Sequence, residues 1–412
     1  MLSPMSYDLT VPILETARKR RPSGKRWHTF VKESGIEINY YSMPYSGKQP
    51  INEGRLEVWP DIELCDYTFS AVVDWIRISF DTTSRHKASN IHRWASAVVD
   101  LEQTLFVQRL DGEDWRAGHE FTLQLQNPTP SGLERLCAAL ETKYKIDRQA
   151  IRIDGIEVSL DIYPKSGSDE DRRRMTEVLR HHVIVPELFW NTPGAQPRCA
   201  FGDIFEVKIP KPVVLGSTGK HRDKSNAAAH DALTPEHFRD LDAAAFQPQP
   251  VDGTFYFGRK GDVAMVRIQD KVTDKRTGNH AQKLEQHRKR SRIEVTLDRF
   301  VMRELGVEFE VDIRNLPFDH LVSGVFATTI PTLSAAGETP DAEELPVFAK
   351  GGVLGLDRYQ RAKHIQDQIE AGAGRGSRRP SALGIKGHGV AWAEFRKRSR
   401  KALKRLETQW GR

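Results

Sequence analysis

Residues 254–276, TFYFGRKGDVAMVRIQDKVTDKR, together with 290–297, RSRIEVTL, decide how this chain is to be read. Around the turn residues RKGD the stretch breaks into two short runs, 254–258 and 264–270, that read as the arms of a hairpin. In the second stretch Ile293, Val295 and Leu297 alternate with Arg292, Glu294 and Thr296, which is the period of a strand with one buried face. Outward from there, Ile76, Ile78 and Phe80 oppose Arg77, Ser79 and Asp81. Phe121, Leu123 and Leu125 oppose Thr122, Gln124 and Gln126, and Val158, Leu160 and Ile162 oppose Glu157, Ser159 and Asp161. Helical spacing appears between these strands: Ile91, Trp94, Val98, Val99 and Leu101 over 88–103, then Leu133, Leu136, Ala139 and Leu140 in a helix opened by Ser131. The expectation is an α+β fold: an antiparallel sheet with helices packed on its apolar face, its other face open, polar and carboxylate-bearing.

The 412 residues are 38% hydrophobic and 29% charged, enough for one large or two ordinary domains with a proper core. Residues 1–68 read as a basic, poorly regular arm, 69–329 as the core with an insertion at 165–250, 330–350 as a linker and 351–412 as a basic helical tail. The apolar runs fall short of the ~18 residues of a membrane span, and Met1 opens no signal-peptide pattern, so a cytoplasmic protein is expected. Cys65, Cys137 and Cys199 are widely spaced with no CxxC pair; they read as reduced, mostly buried thiols rather than a disulfide framework or zinc site.

The net charge of +6 is unevenly spread. Residues 351–412 carry 15 Lys and Arg against 5 Asp and Glu, a local +10 that leaves −4 for the first 350 residues. ARKRRPSGKR at 17–26 adds six cations near the N-terminus. Basic ends on a near-neutral body suit the phosphate backbone of nucleic acid, although a charge run of this kind also serves as a solvated face. From Trp392 on, Trp392, Phe395, Ala402, Leu403, Leu406 and Trp410 fall near one helical face, with Arg396, Arg398, Lys401 and Arg405 largely elsewhere. Such a helix could lie on duplex DNA, pair two copies of the chain or rest on an anionic surface; DNA is the reading adopted, with no membrane partner.

On the polar face, Glu157, Asp161 and Glu294 would gather like charges, and oxygen ligands of this kind suit Mg²⁺ or Mn²⁺. No other cofactor is indicated. His181 and His182 are adjacent on a predicted helix, point different ways and read as surface residues.

Four segments, VDWIRISFD at 73–81, HEFTLQLQNPTPSGLERL at 119–136, GIEVSLDIYP at 155–164 and the opening pair of stretches, stand in the order used by replication initiation factors of rolling-circle plasmids and phages. The chain resembles that family, and related conjugative relaxases, over about half its length. Glu157 and Asp161 match its paired acids, Tyr256, Gly258 and Lys260 its glycine strand-turn, Arg267, Asp270 and Lys271 its RI-DK frame, and Glu294 its last acid. The resemblance implies an endonuclease and strand transferase that binds an origin as duplex, hairpin and single strand. It would cut one strand with a tyrosine hydroxyl and work with a host helicase and polymerase. Where the family carries that tyrosine this chain has Gln269, and an amide cannot be the nucleophile. Three readings stay open. Tyr256 on the neighbouring strand substitutes, ahead of Tyr163 and Tyr359; water attacks; or the chain binds an origin without cutting it. Arg267 and Lys271 would neutralise the phosphate being cut, and Arg259, Lys260 and Arg292 would touch DNA beside it. An unrelated α+β protein whose basic ends bind RNA is the remaining alternative.

Overall fold

The computed structural model describes residues 5–20, 27–100, 103–184, 198–200, 249–250, 254–257, 264–277, 280–336, 339–340, 342–349, 352–353, 356–357, 359–360, 363 and 389–411, and the structural statements below concern these. Strands β1 (Met5–Arg20) and β2 (Trp27–Pro44) form a long antiparallel hairpin, followed by β3 (Leu56–Pro60). Then come β4 (Tyr67–His86), α1 (Ala88–Ala95), β5 (Leu105–Arg109), β6 (Gly118–Gln126), α2 (Pro130–Tyr144), β7 (Arg152–Pro164) and α3 (Asp169–His182). Short strands β8 (Arg198–Ala200), β9 (Gln249–Pro250) and β10 (Thr254–Phe257) precede β11 (Ala264–Lys271), the ribbon β12 (Thr273–Thr277) and β13 (His280–Lys283), and β14 (Arg290–Asp298). The chain ends through α4 (Arg299–Glu304), α5 (Leu321–Gly324), the two-residue strands β15 (Thr329–Ile330), β16 (Thr332–Leu333), β17 (Ala335–Ala336), β18 (Thr339–Pro340) and β19 (Val390–Ala391), and finally α6 (Ala393–Trp410).

The fold is α+β. Its main sheet has eight strands in the order β5-β6-β4-β7-β14-β11-β10-β8, with each neighbouring pair antiparallel. The alternation seen in the sequence becomes two faces: Ile76, Leu123, Val158, Val266, Ile293 and Val295 lie in one buried core. Helices cover that face. α2 begins where Thr129 Oγ1 accepts the Gly132 N–H at 3.0 Å with Pro130 in the first turn, and it buries Leu133, Leu136, Cys137 and Leu140. α3 begins at Ser168, whose Oγ accepts from the N–H groups of Glu170 and Asp171, and an acidic first turn with a basic last turn suits the helix dipole.

A second sheet, β16-β3-β2-β1-β9, stands behind α3, antiparallel except for the parallel β1–β9 pair. One side of α3 meets the main sheet, where Thr176 Oγ1 donates to Ser291 Oγ at 2.8 Å. The other side meets β2, where Tyr40 and His182 hydrogen-bond at 3.2 Å and stack. Where a poorly regular arm was expected, residues 5–20, 27–44 and 56–60 are strands, and Ile36, Ile38 and Tyr40 near the end of β2 are buried on the side that meets α3. The stretch read as a linker is likewise built in: Leu333, Val347 and Phe348 are buried. His181 and His182, expected at the surface, are also buried: the His181 ring nitrogens lie 2.7 and 3.0 Å from the carbonyl oxygens of Glu177 and Ala349, one of which the neutral ring donates to, and His182 meets the Tyr40 hydroxyl and the Thr329 carbonyl. Cys65 is exposed and Cys137 buried, while the Cys199 side chain falls outside the described set. No helix among the described residues is long and apolar enough to cross a membrane.

The basic C-terminal helix is part of the core. Phe395, Ser399, Ala402, Leu403, Leu406 and Trp410 are buried along one stripe of α6. Phe395 meets Phe69 of β4 edge-on at 5.2 Å, and Trp392, just before the helix, packs on Trp59 and His182. Its cations point away from the sheet, where Lys397, Arg400, Lys401, Lys404 and Arg405 line a shallow groove.

Candidate metal centre on the polar face

Residues paired directly across antiparallel strands share a face, so the register sorts the polar face into rows. One row runs Asp161–Arg292–Gln269–Thr254 across β7, β14, β11 and β10; the next runs Ser159–Glu294–Arg267–Tyr256; a third runs Trp75–Glu157–Thr296–Met265 across β4, β7, β14 and β11. Strand β4 carries a bulge between Val73 and Trp75 against β7. The extra residue is Asp74, which strict alternation would put on the apolar face with Ile76; the bulge shifts the phase and brings its carboxylate among the polar rows.

Asp74, Glu157 and Glu294 each offer a carboxylate oxygen, and these atoms lie within 4.8 Å of one another. Arg267 Nη2 sits between the two glutamates, 2.5 Å from an oxygen of each. Gln269 Nε2 donates to Glu294 Oε2 at 3.0 Å, and Thr296 Oγ1 donates to Glu157 Oε2 at 2.7 Å. Arg292 Nη1 donates to both Asp74 oxygens at 3.0 Å and to Glu294 at 3.2 Å, while Ser159 Oγ closes on Asp74 from the other side.

Burial and the neighbouring Glu294 charge push Glu157 up to about 7. Burial also raises Asp74, against the pull of Arg292. Burial alone would raise Glu294, but Arg267, Arg292 and Lys271 outweigh it and hold that carboxyl below its ordinary range. Three acids facing two close guanidinium groups leave one negative charge over, and Glu157 is the acid that takes up a proton to remove it.

Two of the three acids read from the sequence stand together here, and the third does not. Asp161 is four residues from Glu157 on β7, roughly 13 Å along a strand. It is held by Arg292 through Nε and Nη2, by Arg290 at 2.9 Å and by the Tyr163 hydroxyl at 3.4 Å. Although burial works the other way, Arg292 and Arg290 lower its pKa. Asp161 is an anchor for these arginines and Asp74 takes its expected place. Asp74 left one trace in the sequence, a charge at an apolar-phase position of a strand, which is the mark of a bulge.

The cations also differ from expectation. Arg292, read as a DNA contact, is buried within the cluster; Arg396 is half-buried and donates to the Thr328 carbonyl; Arg398 pairs with Glu394 at 2.8 Å. Lys401 and Arg405 are exposed on α6 as expected, on the helix side of the sheet and so opposite the carboxylates. Lys271 is half-buried at the end of β11 opposite Arg290, and burial lowers its pKa. Asp270 faces α3 rather than the polar rows, paired to Arg172 at 2.5 Å. Position 256 falls opposite Arg267, on the face of the carboxylates, though the description of Tyr256 stops at its backbone; Arg259 and Lys260 lie outside the described residues.

No protein-family model matches the chain, and no curated protein matches it. Among solved structures, a class II 3-hydroxy-3-methylglutaryl-CoA reductase from Streptococcus pneumoniae aligns over 98% of this chain and 89% of its own at 12% identity, with a TM-score of 0.19. That score is too low to argue a shared fold.

Proposed function

We propose that this chain binds replication-origin DNA and cuts one strand with Mg²⁺ or Mn²⁺, in the manner of the rolling-circle initiators its motifs resemble. The observation that carries the reading is the convergence of Asp74, Glu157 and Glu294 on one point of the polar face. Their oxygens form a hard donor set that fits such an ion, which when bound would polarise the scissile phosphate and offset the charge of the displacement. An ion bound there would take the place that the Glu157 proton and the Arg267 guanidinium fill between the two glutamates. Arg267 stands opposite position 256 on the neighbouring strand, where its charge would lie beside the phosphate. Gln269 keeps Glu294 oriented through its amide and has no nucleophilic role. Tyr256 is assigned the attack: its hydroxyl gives its proton to solvent as the oxygen bonds to phosphorus, the 3′ oxygen leaves and takes up a proton to become a 3′ hydroxyl, and the 5′ phosphate stays on the protein.

Incubation with supercoiled and hairpin-origin DNA plus Mn²⁺ tests this. Relaxed circles and a denaturant-resistant adduct are expected, with the adduct lost in Tyr256→Phe. Relaxation without an adduct assigns the attack to water. A second reading, origin binding without cutting, draws on Arg267 and Gln269 already satisfying the glutamates without an ion. Neither product, alongside tight duplex binding, would select it.

A further inference from the structure

Beyond the carboxylates, the polar face continues over β4, β6 and β5 to the edge of the sheet. The register extends the rows as Gln126–Trp75–Glu157 and Phe106–Gln124–Arg77, so Trp75 is the direct neighbour of a cluster acid and Phe106 stands two strands further out. Neighbouring strands are about 4.8 Å apart, which sets Phe106 and the Trp75 region roughly 10 Å from each other across the sheet. Arg77 lies over the Trp75 ring, 5.1 Å from its centroid, and donates through Nε and Nη2 to Gln124 Oε1 at 3.2 and 2.7 Å. It makes no close ion pair among the described residues and its guanidinium is positioned by an amide, with Asp154 near enough to feel its charge.

The apolar surface at this edge is unusual. Six large apolar side chains are exposed among the described residues, and three of them, Phe106 at 58%, Leu110 at 51% and Trp115 at 63%, belong to β5 and the connection that follows it. Arg116 lies over the Trp115 ring at 4.5 Å. Exposed aromatics next to cations and amides on an otherwise polar surface mark a binding face. Flat rings give stacking surfaces to unstacked bases, a fixed guanidinium meets phosphate, and glutamine amides donate to and accept from base edges.

We infer that this end of the sheet is a track for single-stranded DNA that leads toward the carboxylate cluster, with one base stacked on Phe106 and another against the Trp75–Arg77 pair. The inference rests on the DNA reading above for the identity of its ligand. Continuity of the rows argues for that occupant, because a strand lying across them passes from Phe106 through Arg77 and Trp75 to Glu157. Charge argues the same way, since Arg77 is the cation in the row and its guanidinium is held by an amide rather than in a close ion pair.

Binding of labelled oligo-dT and oligo-U to the full chain, without added metal, tests it. Phe106→Ala and Phe106→Leu should each weaken oligo-dT binding roughly tenfold and Phe106→Trp should keep the parent's affinity, with duplex binding unchanged throughout. Phe106 is exposed, so these variants fold. Equal oligo-dT binding by all of them overturns the track, as does tighter binding of oligo-U than of oligo-dT. So does a concentration-dependent dimer that Phe106→Ala dissolves without altering oligonucleotide affinity, which would make this edge a contact between copies. A chain that binds oligo-dT through Phe106 yet cuts nothing refutes the nicking reading and leaves the track standing.

Discussion

At the scale of the residue, Glu157 sets how the site responds to pH. Its pKa is raised in the fold to about 7 from an ordinary 4.5, so the folded state binds its proton more tightly than the unfolded chain does. The corresponding stability is fully present below about 4.5 and lost as pH rises through about 7. Glu157→Gln should therefore melt higher than the parent at pH 8 and at a similar temperature near pH 4.5, as read by thermal unfolding at both pH values. Mn²⁺ must displace that proton, so its affinity should rise as pH climbs through 7 in the parent; calorimetric titration at pH 6 and 8 checks this. Gln269 is the second informative residue. Gln269→Tyr places a phenol beside Glu294, and we expect it to form a DNA adduct in a Tyr256→Phe background.

At the scale of the element, α3 joins the two sheets and is the part most exposed to acid. Burial pushes His181 down to about 4 and His182 to about 3, so both are neutral in the fold. The unfolded chain protonates them near 6.5, and stability present above that pH is lost as pH falls toward 4. Thermal midpoints should drop between pH 7 and pH 5, with a shallower drop in His182→Gln. The same helix holds Arg172 against Asp270, both nearly inaccessible. Asp270→Asn removes that buried counter-charge, and with Asp169 still paired to the guanidinium the cost in denaturant unfolding should fall at the lower end of about 3–5 kcal/mol. Helix existence in α2 and α6 was legible from spacing, although α2 is capped by Thr129 and not opened by Ser131 as read from the sequence. The burial of α3 on both sides was not, because the partner on its far side, the β1–β2 hairpin, is more than a hundred residues away in sequence.

At the scale of the whole molecule, a buried carboxylate cluster and an exposed row of cations lie on opposite sides of the main sheet. The carboxylates occupy the polar face, while α6 docks on the apolar face through Phe395 and turns Lys397, Arg400, Lys401, Lys404 and Arg405 outward. Lys401→Ala combined with Arg405→Ala should reduce the salt dependence of duplex binding by about two units of logarithmic slope, uniformly across DNA sequences. Mn²⁺ affinity at the carboxylates should stay as in the parent, measured by the same calorimetry.

The sequence by itself determined the antiparallel sheet, the membership of its two faces and the presence of Glu157 and Glu294 on the polar one, because side-chain alternation is a local property with a period of two. Tertiary structure alone decided which third acid joins them. A one-residue bulge turns Asp74 into the cluster, and Arg290 with Arg292 draws Asp161 out of it; both depend on how β4, β7 and β14 align, which no strand specifies alone. Burial of the histidine pair and docking of the basic helix were settled in the same way, by surfaces that meet only after the chain has folded.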